Sequence, residues 1–102
     1  TGGDEINEHC YETDNSTQAD LSSQGLTLES ALDKFTQATH ASLKSVGKTA
    51  VVWEEMVLNH PVKLADDTLV LVWISSTNAA AVTAKGKKII HAPNDYFYLD
   101  CG

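Results

Sequence analysis

The sequence has few basic residues, few cysteines and no long apolar run, and each shortage argues against a class of protein. Its 102 residues carry 7 basic against 14 acidic side chains, a formal net charge of −7, which argues against binding to the phosphate backbone of a nucleic acid. No segment approaches the roughly 18 consecutive apolar residues that a membrane-spanning helix needs. We therefore expect no nucleic-acid and no membrane partner, and the acidic balance is compatible with a neutral ligand such as a sugar.

The only two cysteines, Cys10 and Cys101, lie near opposite ends of the sequence. A bridge between them would close nearly the whole chain, but the spacing alone does not show that it forms. Asn15 opens an Asn-Ser-Thr glycosylation sequon in a polar stretch. Sequons are frequent by chance, but the sequon and the cysteine pair together favour a secreted, N-glycosylated protein.

Residues for metal binding or covalent catalysis are missing in any recognisable spacing. The four histidines do not follow the intervals of a metal site, and no Ser/His/Asp or Cys/His arrangement is evident. Gly2 and Gly3 lack the spacing of a phosphate-binding loop. We expect no metal and no cofactor.

A long amphipathic helix is the clearest element that the sequence does contain. Thr27 is a candidate N-cap, and Gly47 is a candidate C-terminal stop. Between them, residues on one predicted face step by three or four, namely Leu28, Leu32, Phe35, Thr39, Leu43 and Val46. The polar residues 12–24 that precede the helix predict a loop.

Short apolar runs rich in β-branched residues predict three strands after that helix. The strands cover residues 49–53, 68–74 and 88–92. The first two are predicted to be buried, with a loop over 54–67 between them. A short alanine-rich helix is expected from Thr77 or Asn78 to Gly86, and a loop follows the last strand. Helices that alternate with apolar strands indicate an α/β fold of parallel β/α units.

Carboxylates and aromatic residues recur where predicted strands end. They are Asp4, Glu5, Trp53, Trp73, Tyr98 and Asp100. Because ligands bind at the carboxyl ends of strands in parallel β/α folds, we expect these side chains to converge on one face. Adjacent carboxylates can divide the roles of proton donor and anion, and aromatic rings can stack on a pyranose. Taken singly, the acid pair has the alternative of a solvated turn, and each Trp has that of core packing.

Four motifs together resemble the β-N-acetylhexosaminidases of glycoside hydrolase family 20. They are Gly2-Gly3-Asp4-Glu5, Val52-Trp53-Glu54-Glu55, Val72-Trp73 and Tyr98-Leu99-Asp100-Cys101-Gly102. They stand in the family's order at the family's intervals and cover essentially the whole chain. The cysteine five residues after Glu5 and the final Tyr-Leu-Asp-Cys-Gly are most similar to the fungal enzymes, which implies a secreted hydrolase of chito-oligosaccharides or glycans.

The resemblance implies a role for each site residue. Glu5 would be the general acid, and Asp4 would orient the 2-acetamido group of the substrate, whose oxygen attacks the anomeric carbon. Tyr98 would donate a hydrogen bond to the acetamido oxygen. Trp53 and Trp73 would wall the acetamido pocket. The remaining acid, Asp100, would bind hydroxyl groups at the non-reducing end of the sugar.

The resemblance also implies that residues 1–102 form a single partial catalytic-domain segment. The family fold is a (β/α)8 barrel of about 250 residues, of which the chain would supply the end of the fourth strand to the seventh. Cys10 and Cys101 would pair with cysteines outside this segment. The abrupt start at Thr1, without an initiator methionine or a signal peptide, suggests a processed or truncated polypeptide. We expect self-association or association with the remaining barrel segments.

Two functions from different classes follow from these expectations. The first is release of terminal N-acetylglucosamine or N-acetylgalactosamine by the full-length enzyme, with weak or no turnover by the 102 residues alone. The second is carbohydrate binding without turnover, because loose positioning harms catalysis more than it harms binding. The sequence does not decide between the two sugars.

Overall fold

Three short parallel strands form the sheet of the protein. The computed structural model describes residues 1–100, in which the strands are β1 (Val51–Trp53), β2 (Leu69–Val72) and β3 (Lys88–His91). They lie in the order β1-β2-β3, with Val52 opposite Val70 and Val70 opposite Ile89. The predicted α/β class with parallel strands is therefore confirmed, and each strand is shorter than the apolar run that predicted it. The predicted burial of β1 and β2 was partly wrong, because only alternate residues of these strands are buried.

Six helices surround or precede these strands in the described part of the chain. They are α1 (Glu8–Thr13), α2 (Asn15–Gln24), α3 (Leu28–Ser45), α4 (Glu55–Leu58), α5 (Thr77–Ala84) and α6 (Asn94–Phe97). No helix among residues 1–100 is both long enough and apolar enough to cross a membrane. Helix α4 interrupts the predicted loop 54–67, and α6 lies in the loop predicted after β3, so both loop predictions were too broad.

Helix α3 begins and ends where its capping residues predicted. The Thr27 hydroxyl accepts a hydrogen bond from the Ser30 N–H, and the Ser30 hydroxyl accepts one from the Thr27 N–H, which forms a reciprocal capping box. Gly47 follows the helix in the left-handed region at φ 69°. The predicted packed face was partly wrong, because Phe35 and Val46 are 65% and 68% exposed while Thr36 is buried.

The predicted loop over residues 12–24 was wrong, since most of it is helical. Asn7 caps α1 by accepting the Cys10 N–H, and Asp14 caps α2 by accepting the Thr17 N–H at 2.7 Å. Gly25 ends α2 at φ 65°. Neither helix has a buried residue, so no apolar periodicity marked them, and only their caps could have predicted them.

The core lies between the sheet, α4 and α5. Val52, Val70, Val72, Met56 and Val82 form one buried cluster, and Val70, Val72 and Val82 are fully inaccessible to solvent. Burying a side chain of this size contributes about 1.5–3 kcal/mol. The cluster is small, and its main consequence is to fix the ends of β1 and β2 relative to each other.

The first residues of the chain run beside β1 on the side away from β2. Gly2 forms an isolated parallel bridge with Val52, in which the Trp53 N–H donates to the Gly2 carbonyl at 3.2 Å. Gly3 has φ 101°, and a Cβ placed there would overlap Cγ and Sδ of the buried Met56. The glycine pair therefore lets the backbone approach the core closely just before Asp4 and Glu5.

Candidate functional site

Three aromatic side chains meet at the carboxyl end of the sheet. Trp53 is the last residue of β1, and Trp73 directly follows β2. Their rings lie 5.9 Å apart between centroids at an interplanar angle of 76°, an edge-to-face contact. The Tyr98 ring stacks on the Trp73 ring, with the centroids 6.4 Å apart and an interplanar angle of 26°. The structure thus brings together residues separated by up to 45 positions into one partly exposed aromatic surface.

Backbone and side-chain contacts hold the segment of Tyr98 against Trp73. The Asn94 N–H donates to the Trp73 carbonyl at 2.7 Å. Asp95 accepts hydrogen bonds from the Ser76 hydroxyl and the Ser76 N–H, at 2.5 and 3.1 Å for the closest oxygens. The hydroxyl contact is the main reason that the pKa of Asp95 lies below its ordinary value. These contacts fasten α6, and Tyr98 after it, to the start of α5.

The acid pair lies in the segment that follows the Gly2 bridge. Both Asp4 and Glu5 are exposed. Glu5 has φ 50° and is the one non-glycine residue with positive φ in the part of the chain that the structure describes. Such a conformation is uncommon for a residue with a Cβ and is concentrated at functional sites.

Glu55 connects this segment to the aromatic surface. Its Oε1 accepts the Glu5 N–H at 3.3 Å, and its Oε2 accepts the indole Nε1–H of Trp73 at 3.0 Å. Glu55 is 6% exposed. Because each carboxylate oxygen has a different donor, one buried side chain sets the acid pair and the aromatic surface relative to each other.

Glu54 is the second buried carboxylate, and it serves the backbone. Its Oε1 accepts the N–H groups of Trp73 and Ile74 at 2.8 and 2.7 Å, and its Oε2 accepts the Asn78 side-chain amide. It is fully buried. In the sequence, Glu54 and Glu55 were recognised only as part of a motif, and no role was predicted for either. Two carboxylates directly after a buried strand were the available signal, because buried carboxylates need several donors.

The remaining predicted site residues that the structure describes are Asp100, Asn15 and Cys10. Asp100 is exposed after α6. Asn15 is the exposed first residue of α2, and the hydroxyl of its sequon residue Thr17 donates to the capping Asp14 at 2.7 Å. Cys10 is exposed and carries no disulfide to any described residue. Cys101, which was predicted to be able to form a disulfide, lies outside the described residues. The proposed roles of these residues stay predictions.

A group of possible metal ligands occurs where histidine spacing gave no signal. Ligand atoms of Glu8, Glu29 and His60 lie within 4.8 Å of one another. The buried His60 ring is hydrogen-bonded through Nδ1 to Glu29 at 2.9 Å, which connects the segment after α4 to the first turn of α3. Sequence reasoning considered histidines at short intervals, whereas these three residues are brought together only by the fold. Within the geometry described, the His60–Glu29 contact secures the position of α3.

Ligand sites of parallel β/α folds lie at the carboxyl ends of the strands, where the aromatic rings and the carboxylates meet in this chain. Comparison with known families identifies the class of protein. The model of the glycosyl hydrolase family 20 catalytic domain matches residues 1–102. The chain belongs to this family, as the resemblance of its motifs predicted.

Similar proteins from several kingdoms support the same assignment. A beta-hexosaminidase of Arthroderma benhamiae is 36% identical over 100% of this chain and 18% of its own length. Subunit A2 of a beta-hexosaminidase of Dictyostelium discoideum is 34% identical over 98% of this chain and 18% of its own length. A beta-hexosaminidase of Vibrio furnissii is 30% identical over 97% and 16% respectively. The chain therefore spans about a fifth of the length of these relatives.

Proposed function

We propose that this chain is part of an enzyme that hydrolyses terminal N-acetylhexosamine residues from chito-oligosaccharides or glycans. The observation that carries the proposal is the connection, through Glu55, of the Asp4–Glu5 segment to the Trp73 indole in a member of glycosyl hydrolase family 20. The connection joins an acid pair to an aromatic surface. An N-acetylated sugar presents the matching features, namely a glycosidic oxygen to protonate and an apolar face to stack.

In the proposed reaction, the substrate supplies its own nucleophile. The acetamido oxygen attacks the anomeric carbon while the bond to the leaving glycosidic oxygen breaks, and Glu5 gives its proton to that oxygen. Asp4 stays anionic and stabilises the positive charge that develops on the acetamido group. Glu5 then takes a proton from water, whose oxygen bonds to the anomeric carbon and releases the acetamido oxygen. The sugar leaves with its original anomeric configuration.

The aromatic residues are proposed to hold the acetamido group. The edge-to-face pair of Trp53 and Trp73 offers two walls at a steep angle, and the Tyr98 ring lies against Trp73, where its hydroxyl would donate to the acetamido oxygen. Asp100 is proposed to accept hydrogen bonds from sugar hydroxyls. These roles demand fixed geometry, since reacting groups must be held at about 3–3.5 Å for efficient catalysis.

We also propose that the three strands belong to a (β/α)8 barrel, as its fifth to seventh strands, with Asp4 and Glu5 after the fourth. The parallel order β1-β2-β3 and the bridge of Gly2 to Val52 support this position. Such a barrel has about 250 residues, so the remaining segments, or a second copy of the chain, would cover the open sides. Secretion and glycosylation at Asn15 are proposed on the sequon, which is exposed.

The test uses two substrates that differ in their need for the acid. An aryl N-acetylglucosaminide has a good leaving group, whereas N,N′-diacetylchitobiose must be protonated on its glycosidic oxygen to react. In the intact polypeptide that carries these residues, we expect Glu5→Gln to lower kcat on chitobiose by about 10²–10⁴-fold and on the aryl glycoside by less. The matched control is Glu12→Gln, which removes an exposed carboxylate on α1 and is expected to leave both rates unchanged.

The alternative, carbohydrate binding without turnover, is separated by the same proteins. Chitobiose binding by calorimetry without hydrolysis in the unmodified polypeptide would support the alternative. Hydrolysis that survives Glu5→Gln with more than a tenth of its original kcat on chitobiose would contradict the proposed acid.

A further inference from the structure

We propose that Glu55 is a positioning residue of this site, which sets the general acid and the acetamido pocket in register by accepting one hydrogen bond from each. The inference rests on the proposed function and adds a residue to it. Glu55 touches neither a reacting atom nor the sugar in this account. Its action is through the Glu5 backbone and the Trp73 indole.

The two contacts of Glu55 reach parts of the chain that are far apart in sequence. Glu5 is 50 residues away in sequence and Trp73 is 18 residues away. Both carboxylate oxygens accept a hydrogen bond, and Glu55 is only 6% exposed. Burying a carboxylate is costly without compensating donors, so this arrangement persists because both donors are present.

The contact with Glu5 fixes the backbone that aims the acid. The Glu5 side chain is exposed, so its direction depends on the backbone that carries it. That backbone has φ 50°, a conformation that is uncommon for a residue with a Cβ and needs support from its surroundings. The hydrogen bond from the Glu5 N–H to Glu55 supplies such support at the residue itself.

The contact with Trp73 fixes the orientation of a ring that touches two others. The Trp73 ring meets Trp53 edge to face and stacks on Tyr98. With Nε1–H held by Glu55, rotation of the indole is restricted, and so is the shape of the pocket that the three rings form. Loss of the acceptor would loosen the pocket and the acid together.

Replacement of a carboxylate by an amide tests the two contacts of Glu55. Glu55→Gln keeps one acceptor oxygen and gains an NH2 group, so it can serve only one of its two donors and repels the other. Glu29→Gln is the matched control. The Glu29 carboxylate is hydrogen-bonded to the buried His60 ring, and the amide of Gln can still bond to that ring nitrogen through its oxygen or its NH2 group. Both changes remove one negative charge.

The experiment compares both variants in the intact polypeptide on the aryl glycoside and on chitobiose. We expect Glu55→Gln to lower kcat on chitobiose by about 100-fold, as a displacement of about 1 Å does, with a smaller loss on the aryl glycoside and a raised KM for both. Glu29→Gln should stay within about threefold of the unmodified enzyme per folded molecule. A residue that merely stabilised the fold would lower the amount of folded enzyme without changing the ratio of the two kcat values.

The outcomes separate this inference from the function beneath it. If Glu5→Gln abolishes chitobiose hydrolysis while Glu55→Gln behaves like Glu29→Gln, the positioning role is wrong and the proposed function stands. If the unmodified enzyme hydrolyses neither substrate, the proposed function itself fails.

Should Glu55→Gln not fold, Glu55→Asp takes its place, because it keeps the charge and both oxygens but withdraws them by one methylene. It should fold and still lose at least tenfold in kcat on chitobiose. A folded Glu55→Asp enzyme with unchanged kcat on both substrates overturns the inference.

Discussion

A methyl group added at Gly3 tests the close approach of the acid segment to the core. Gly3→Ala combines two costs. An alanine at φ 101° is strained by about 1–2 kcal/mol, and its Cβ would overlap Cγ and Sδ of Met56, which is 4% exposed. Overpacking of a core site costs about 1–3 kcal/mol. We expect a total destabilisation of about 2–5 kcal/mol.

Three companion variants separate these costs. Gly2→Ala carries a similar positive φ of 77° but has no atom within 4 Å of the new Cβ, so it should lose only the backbone part. Met56→Ala alone leaves a cavity and costs about 2–5 kcal/mol. In the double variant Gly3→Ala/Met56→Ala the clash is absent. The destabilisation of the double variant should therefore be smaller than the sum of the two single losses by about 1–3 kcal/mol.

Urea unfolding followed by tryptophan fluorescence measures all four free energies of unfolding. The reasoning is refuted if Gly3→Ala costs no more than Gly2→Ala within about 0.5 kcal/mol, or if the double variant is additive within that margin. Either result would mean that Met56 gives way without cost. The kcat of Gly3→Ala should also fall, because the added methyl displaces the backbone next to Asp4 and Glu5.

Two further predictions concern stability. Thr68 is 1% exposed, and its hydroxyl has no hydrogen-bond partner among the described residues; Thr68→Val should therefore raise the free energy of unfolding by about 1 kcal/mol, and a loss of similar size would show that the hydroxyl is bonded. The hydrogen bond from the Ser76 hydroxyl lowers the pKa of Asp95 below its ordinary 3.8, so its stabilisation is present above that pH and is lost as the pH falls through the folded value. Asp95→Asn should be less stable at neutral pH, and thermal unfolding should show the difference shrinking below about pH 3.8, whereas a constant difference would exclude the carboxylate as its source.

Local chemistry made some elements predictable from sequence. The ends of α3 depend on Thr27 and Gly47, which act on the nearest backbone groups, and the strands depend on apolar, β-branched runs such as Val51–Trp53, which favour a strand wherever they pack. Helices α1 and α2 were missed because they bury no residue. The wrong prediction that Phe35 is packed has a different origin. The periodicity of a helix indicates which residues share its apolar face, but not how much of that face the neighbouring elements cover.

The sequence predicted which side chains of the site lie together at the strand ends, but not the hydrogen bonds between them. The family resemblance placed Trp53, Trp73 and Tyr98 in one pocket, and the structure brings their rings into contact. The role of Glu55 could not be obtained in that way. It depends on which oxygen meets which donor across 50 and 18 residues, and no local pattern encodes that geometry.

The sequence separation of the Glu5–Glu55 contact also bears on the order of folding. Closing a loop of 50 residues costs chain entropy before any contact repays it. We therefore expect helix α3, capped within its own sequence, to form early, and Glu5 to acquire its backbone conformation after β1 and α4 have docked. During refolding, helical signal should therefore precede the recovery of catalytic geometry, and competence of the acid reports that the long crossover through α3 is complete.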